Sequence, residues 1–142
     1  MTTAHPVVPA GLMRRFAALL YDSLLLAGVW FFATFVALIV RHGAAIAPSS
    51  LWFDAYLFAV GGLFFGGFWT HGGQTLGMRA WRIRVQQHDG APLTWLIALR
   101  RYGLAWVSLL LLGGGFFWLL VDKNRLTLHD RWSGTEVIRT DR

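Results

Sequence analysis

RFAALLYDSLLLAGVWFFATFVALIV, residues 15–40, is the stretch whose reading decides the fold. It is apolar from Phe16 to Val40 but for Asp22 and small polar residues, and Arg15 stands at its entrance. At a rise of about 1.5 Å per residue such a run can cross the ~30 Å hydrocarbon core of a bilayer, so it predicts a transmembrane helix. A carboxylate at that depth is costly, which makes Asp22 a functional-site hypothesis by default. The run starts too far along the chain, is too long and lacks a following small-residue cleavage site, so no removable signal peptide is expected.

Two further apolar stretches follow, Leu51–Trp69 and Tyr102–Val121, and each is long enough to span. The composition agrees: of 142 residues, 56% are hydrophobic, 15% aromatic and only 14% charged, which departs from soluble-domain averages. The expectation is an all-α integral membrane protein. It would have a short mobile lead over 1–10, carrying Pro6 and Pro9, one membrane domain over 11–138, and a tail at 139–142.

Cysteine is absent, which excludes disulfides, thiolate metal sites and thiol catalysis within this chain. The net charge of +6 gathers on the flanks of the spans and the tail, which suits a lipid bilayer with anionic headgroups better than nucleic acid. No nucleic-acid-binding motif accompanies the arginines, and no nucleic-acid partner is expected.

Short loops rich in Lys and Arg stay cytoplasmic. Arg14 and Arg15 precede the first span, and Arg79, Arg82, Arg84, Arg100 and Arg101 follow the second, so both regions belong inside. The link Arg41–Ser50 carries one arginine and belongs outside. A full third crossing would then place Lys123, Arg125, Arg131, Arg139 and Arg142 on the wrong side. Gly113, Gly114 and Gly115 break that stretch, and glycine weakens a helix by roughly 1 kcal/mol relative to alanine. A re-entrant segment satisfies the charges better than a third crossing.

Trp81, Ile83 and Val85 alternate with Arg82 and Arg84 in the period of a half-exposed strand, and Asp89-Gly90 supplies a turn. Residues 135–139 form a second β-prone piece, with Glu136 placed to oppose one of those arginines. Paired, the two would make a small cytoplasmic β-like cap. Thr94 can cap a helix on which Trp95, Ala98, Leu99 and Tyr102 share a face, while Arg100 and Arg101 are expected to snorkel to headgroups.

Arg15 and Asp22 share a helix face but stand about 10 Å apart along the axis, so the partner of Asp22 should come from another segment, with Arg101, Arg100 and Arg79 as candidates. Functionally Asp22 would accept a proton or cation along a polar path. Structurally it would be a buried carboxyl locking the helices together. Asp54, near the outer surface, is expected to be wetted. Gly62-x-x-x-Gly66 predicts close helix packing, within the chain or between copies, and makes a homo-oligomer a fair expectation.

Gly72 to Arg79 imitates the spacing of a phosphate loop but puts Met78 and Arg79 where Lys and Ser or Thr are needed, so nucleotide binding is rejected. His129, Asp130 and Ser133 mix hydrolase-like groups without a nucleophile-turn context. Asp130 is expected to dock the tail instead. His129 lacks a second ligand at a useful spacing, so no metal is expected.

These residues together resemble the RDD family of small bacterial membrane proteins. Arg14-Arg15-Phe16-Ala17-Ala18-Leu19-Leu20-Tyr21-Asp22 matches the opening arginine and first aspartate of that family, at Arg15 and Asp22. Asp130 in Leu128-His129-Asp130 matches the second aspartate. The likeness extends through Gly73-Gln74-Thr75-Leu76-Gly77-Met78-Arg79 and Arg82-Ile83-Arg84-Val85 with Asp89-Gly90, over about 11–138. Where the family commonly has a lysine at the position of Met78 or Arg79, this chain keeps the charge and not the residue.

The resemblance implies a bacterial inner-membrane location and a role in transport, cation and proton exchange included. The expectation is thus a multi-pass protein with a cytoplasmic N-terminus, acting in or assisting transport of a small solute or cation. Asp22 would be the switching carboxyl and Arg15 or Arg101 would tune it. Its size makes self-association close to a requirement of that reading, because alternating access relies on repeats moving about a central site. The alternative is a membrane scaffold or assembly factor that binds a membrane-protein partner or lipid through its basic face. Neither reading needs a cofactor or makes the protein an enzyme.

Overall fold

A computed structural model describes residues 7–110, 121 and 128–140. In chain order these form α1 (Leu12–Val40), α2 (Leu51–Thr70), a short α3 (Leu76–Ala80), β1 (Ile83–Gln87), α4 (Trp95–Leu110), α5 (Leu128–Ser133) and β2 (Thr135–Arg139). The expected break at Gly113–Gly115, and with it most of the later half of the third apolar stretch, lies outside the described residues.

Among the described residues α1 and α2 are long and apolar enough to cross a membrane. Their faces are inverted relative to a water-soluble helix. Arg15, Ala18, Asp22, Leu26, Ala33 and Ala37 of α1 are buried, following one helical face. Phe31, Phe32, Phe35 and Ile39 are largely exposed. Small and charged groups turn inward and large apolar ones outward, which is the arrangement lipid requires.

Polar side chains tie the helices through backbone carbonyls. Trp30 Nε1 donates to Leu57 O at 2.9 Å, Tyr56 Oη to Ala33 O at 3.0 Å, and Tyr102 Oη to Phe58 O at 2.9 Å. Gly61, Gly62 and Gly66 of α2 are buried against α4. A Cβ on Gly62 would lie 3.3 Å from Tyr102 Cε1, and one on Gly66 would lie 2.7 Å from Trp95 Cζ3. The small-residue stripe is therefore used within the chain.

β1 and β2 pair antiparallel, with Val85 opposite Val137 and Gln86 opposite Glu136. Glu136 thus faces a glutamine and not an arginine, and Gln86 Nε2 donates to its Oε1 at 2.8 Å. Arg84 lies across from Ile138. The register follows burial: Ile83, Val85 and Val137 fill the interior, so Arg84 must face out.

Two further expectations are corrected. Residues 8–10, assigned to a mobile lead, lie along β2, with Ala10 N donating to Val137 O and Arg139 N to Val8 O, both at 2.9 Å. Ala10 is fully buried. In α4, Thr94 Oγ1 accepts from Ile97 N at 3.4 Å as a cap, but Arg100 and Arg101 part company: Arg100 is exposed and Arg101 is 4% exposed. Ala98, Arg101, Tyr102 and Ser108 mark the buried face, which carries Arg101 into the core instead of to the headgroups.

Candidate functional site: a buried carboxyl and arginine core

Asp22 sits nearly three turns into α1 and is 3% exposed. Its partner is the loop after α2. Thr75 Oγ1 donates to Asp22 Oδ2 at 2.5 Å, and Gly77 N donates to Asp22 Oδ1 at 2.9 Å. Thr75 is also the N-cap of α3, and its Oγ1 accepts from Met78 N at 3.1 Å. The carboxylate of one helix therefore completes the open N-terminus of another, whose first N–H groups have no partner inside the helix.

Gly77 is required for that approach. A Cβ there would press on the Ala18 carbonyl and stand 2.8 Å from Asp22 Oδ1. Gly73, at φ +70°, turns the chain so that Val85 N can donate to Gly73 O at 2.8 Å. The loop that imitated a phosphate binder is a receptor for the carboxylate of α1.

Asp130, on α5, is fully buried between two arginines. One carboxylate oxygen pairs with Arg15 Nη1 and the other with Arg101 Nη1. Arg101 Nη1 also donates to Thr135 Oγ1 at 2.9 Å, and Ser133 Oγ lies 2.8 Å from that hydroxyl. Arg15 Nε donates to Ala10 O at 3.2 Å, and Arg15 Nη2 reaches Val137 O at 3.5 Å. Helices α1, α4 and α5 thus meet on one carboxylate, and strand β2 and the N-terminal segment hold its two arginines.

Asp22, Arg15 and Arg101 also line a half-open cavity of about 110 Å³ between α1, α2, α3, α4 and the sheet. Its remaining wall is largely apolar, with Ala18, Leu19, Phe65, Ala105 and Leu109. Arg101 lies over the Trp69 ring, with Cζ 5.2 Å from the ring centroid. Asp54 is exposed in the first turn of α2, where a carboxylate favours the helix dipole. Among the described residues no three His, Cys, Asp or Glu side chains gather to hold a metal ion. The His129 side chain lies outside those residues.

A family model described as the RDD family matches residues 9–134, nearly the whole chain. The chain belongs to the RDD family. No curated relative and no solved structure matches it. The three residues read as the arginine and two aspartates of an RDD protein are Arg15, Asp22 and Asp130, and all three are buried at the same end of the helices.

The geometry sorts these residues differently from the sequence. Arg15 and Arg101 bind Asp130, whereas Asp22 takes a hydroxyl and a backbone N–H. Arg79 and Arg100, the other candidate partners, are exposed. Reasoning from the sequence missed Thr75 and Gly77 as partners of Asp22 and Trp69 as the ring beneath Arg101. The hydroxyl preceding a short helical run at Leu76 was a usable signal for Thr75. Trp69 offered none, because an aromatic at the end of a span reads as an interfacial anchor.

Proposed function

We propose that this RDD protein acts in, or assists, the transport of a small solute or cation across the bacterial inner membrane. The observation that carries this reading is the convergence of Asp22, Arg15 and Arg101 on one cavity beside two membrane-length helices. Ionisable groups at such depth are costly and are retained where charge is handled. The exposed or half-exposed Arg14, Arg79, Arg82, Arg84 and Arg100 at the same end support a cytoplasmic placement of that end, with the N-terminus inside.

The pairing of β1 with β2 supports re-entry of the third apolar segment: residues 83–87 follow the second span and residues 135–139 lie beside them, an arrangement that a segment returning to the side it left would satisfy. With few crossings per copy, transport by this protein calls for self-association or a membrane-protein partner. The packing of Gly62 and Gly66 against α4 means that such an interface would use another face.

A scaffold or assembly role is the second reading, favoured by the full engagement of Asp22 as an anchor for α3. Asp22→Asn separates the two. It keeps an oxygen for Gly77 N and an amide beside Thr75 Oγ1, so shape is retained while the charge is removed. In vesicles loaded with a pH-sensitive dye, the transport reading expects cation-driven proton flux in the wild type and at least a tenfold loss in Asp22→Asn. Equal flux in both, or none in the wild type, leaves the scaffold reading.

A further inference from the structure

The two faces of α2 are used differently. Gly61, Gly62 and Gly66 are closed off by the Tyr102 and Trp95 rings of α4. Around the helix from them, Leu63, Phe64, Gly67 and Phe68 line a shallow open groove that continues past the helix end to His71 and is also lined by Arg79 of α3. Among the described residues, a Cβ on Gly67 would meet nothing within 4 Å, whereas one on Gly66 would stand 2.7 Å from Trp95 Cζ3. Close packing within the chain therefore does not account for Gly67, although glycine weakens a helix relative to alanine. What it leaves is a notch on the outside of the span.

The polar end of the groove carries a cation without a counter-charge. Arg79 is exposed, and among the described residues its guanidinium makes no hydrogen bond or ion pair. Other charged groups at this end of the helices are engaged: Arg101 pairs with Asp130, Arg14 donates to Trp81 O at 3.0 Å, and Asp22 accepts from Thr75 and Gly77. His71 turns its Nδ1 back to Gly67 O at 2.9 Å. The complement of this groove is thus a molecule that is apolar along most of its length and anionic at one end.

Length and position restrict it further. From Leu63 to His71 is about 12 Å along the chain axis at helical rise, close to the ~15 Å that one leaflet contributes to a ~30 Å hydrocarbon core. Arg79 follows the end of α2, a membrane-length helix, and so stands where headgroups begin. We infer that this groove binds one anionic phospholipid, with an acyl chain along Leu63, Phe64, Gly67 and Phe68 and the phosphate taken by Arg79. A guanidinium presents paired donors that match phosphate oxygens, and a second negative charge on the headgroup is drawn to the same cation. A free phosphate would leave the apolar length bare. The site rests on α2 spanning a bilayer and not on the transport reading, so the outcome of the flux assay does not bear on it.

Native mass spectrometry of the full-length protein released from detergent micelles tests this, with dioleoyl phosphatidylglycerol and dioleoyl phosphatidylcholine titrated separately and glycerol 3-phosphate as the headgroup alone. The wild type should bind its first phosphatidylglycerol about fivefold tighter than phosphatidylcholine, the worth of one basic side chain beside an anionic lipid. Arg79→Gln should erase that preference. Arg100→Gln, which removes an exposed arginine of α4 outside the groove, should keep it. Gly67→Leu fills the notch and should weaken both lipids about tenfold, as if about two methylenes lost their wall. If Gly67→Leu lowers the unfolding midpoint in detergent, the surface variant Arg79→Gln decides alone.

Equal retention of the two lipids by the wild type overturns the proposal. So does an equal loss in Arg79→Gln and Arg100→Gln, which would mean diffuse surface charge, or unchanged binding in a stably folded Gly67→Leu. Glycerol 3-phosphate binding as tightly as phosphatidylglycerol would likewise replace the lipid site with a simple anion site.

Discussion

Asp130 is shared by two guanidinium groups from different helices, one on each carboxylate oxygen. Removing its charge would leave two buried cations facing each other, and breaking a buried pair in this way costs about 3–5 kcal/mol. Asp130→Asn should therefore lower the midpoint of thermal unfolding in detergent far more than Asp22→Asn, which keeps its hydrogen-bonding shape. Similar midpoints for the two variants would refute this division of labour. Gly77→Ala forces a Cβ against the Ala18 carbonyl and Asp22, and overpacking of this kind destabilises by about 1–3 kcal/mol. Gly67→Ala is the matched control, because a Cβ there meets nothing within 4 Å. Asp22 was legible as a buried charge because a charged residue in an apolar run must turn away from lipid to be solvated by protein, whereas Arg15, at the entrance of the run, gave no such signal. The partners of both were not legible, since Thr75 and Asp130 lie 53 and 115 residues away from Asp22 and Arg15 along the chain.

At the scale of elements, α2 and α4 approach along a seam of glycine against ring. Gly62 and Gly66 meet Tyr102 and Trp95, and the Phe58 ring lies tilted against Tyr102 with centroids 4.9 Å apart. Gly66→Ala should destabilise the protein by about 1–3 kcal/mol, and Trp95→Ala in the same chain should restore part of that loss by clearing the ring. A double variant no more stable than the sum of the single losses would show that the two do not meet. The glycine spacing was legible, but its partner was open between a second copy and another helix. The choice falls to α4 because Thr94 starts that helix in a register that turns Trp95 and Tyr102 toward α2. The same register buries Arg101 while Arg100 stays exposed: adjacent residues lie about 100° apart around a helix, so only one of two neighbouring arginines can face a given partner.

For the whole molecule, the sheet joins regions that the sequence keeps far apart. Residues 8–10, 83–87 and 135–140 hydrogen-bond side by side, so both ends of the described chain lie at one end of the helices. Reporters that are active on one side of the membrane only should give the same signal at the N- and C-termini. Opposite signals would mean that the third segment crosses once and that this sheet does not exist in the membrane. Hydropathy by itself determined the class of protein, the two long spans and the inward burial of Asp22, because transfer of a residue into hydrocarbon depends on that residue's own chemistry. The tertiary structure alone decided which arginine faces Asp130, that Asp22 anchors α3, and that Trp69 and Arg101 share a cavity. Those outcomes depend on distances between segments remote in sequence, and no local periodicity encodes them.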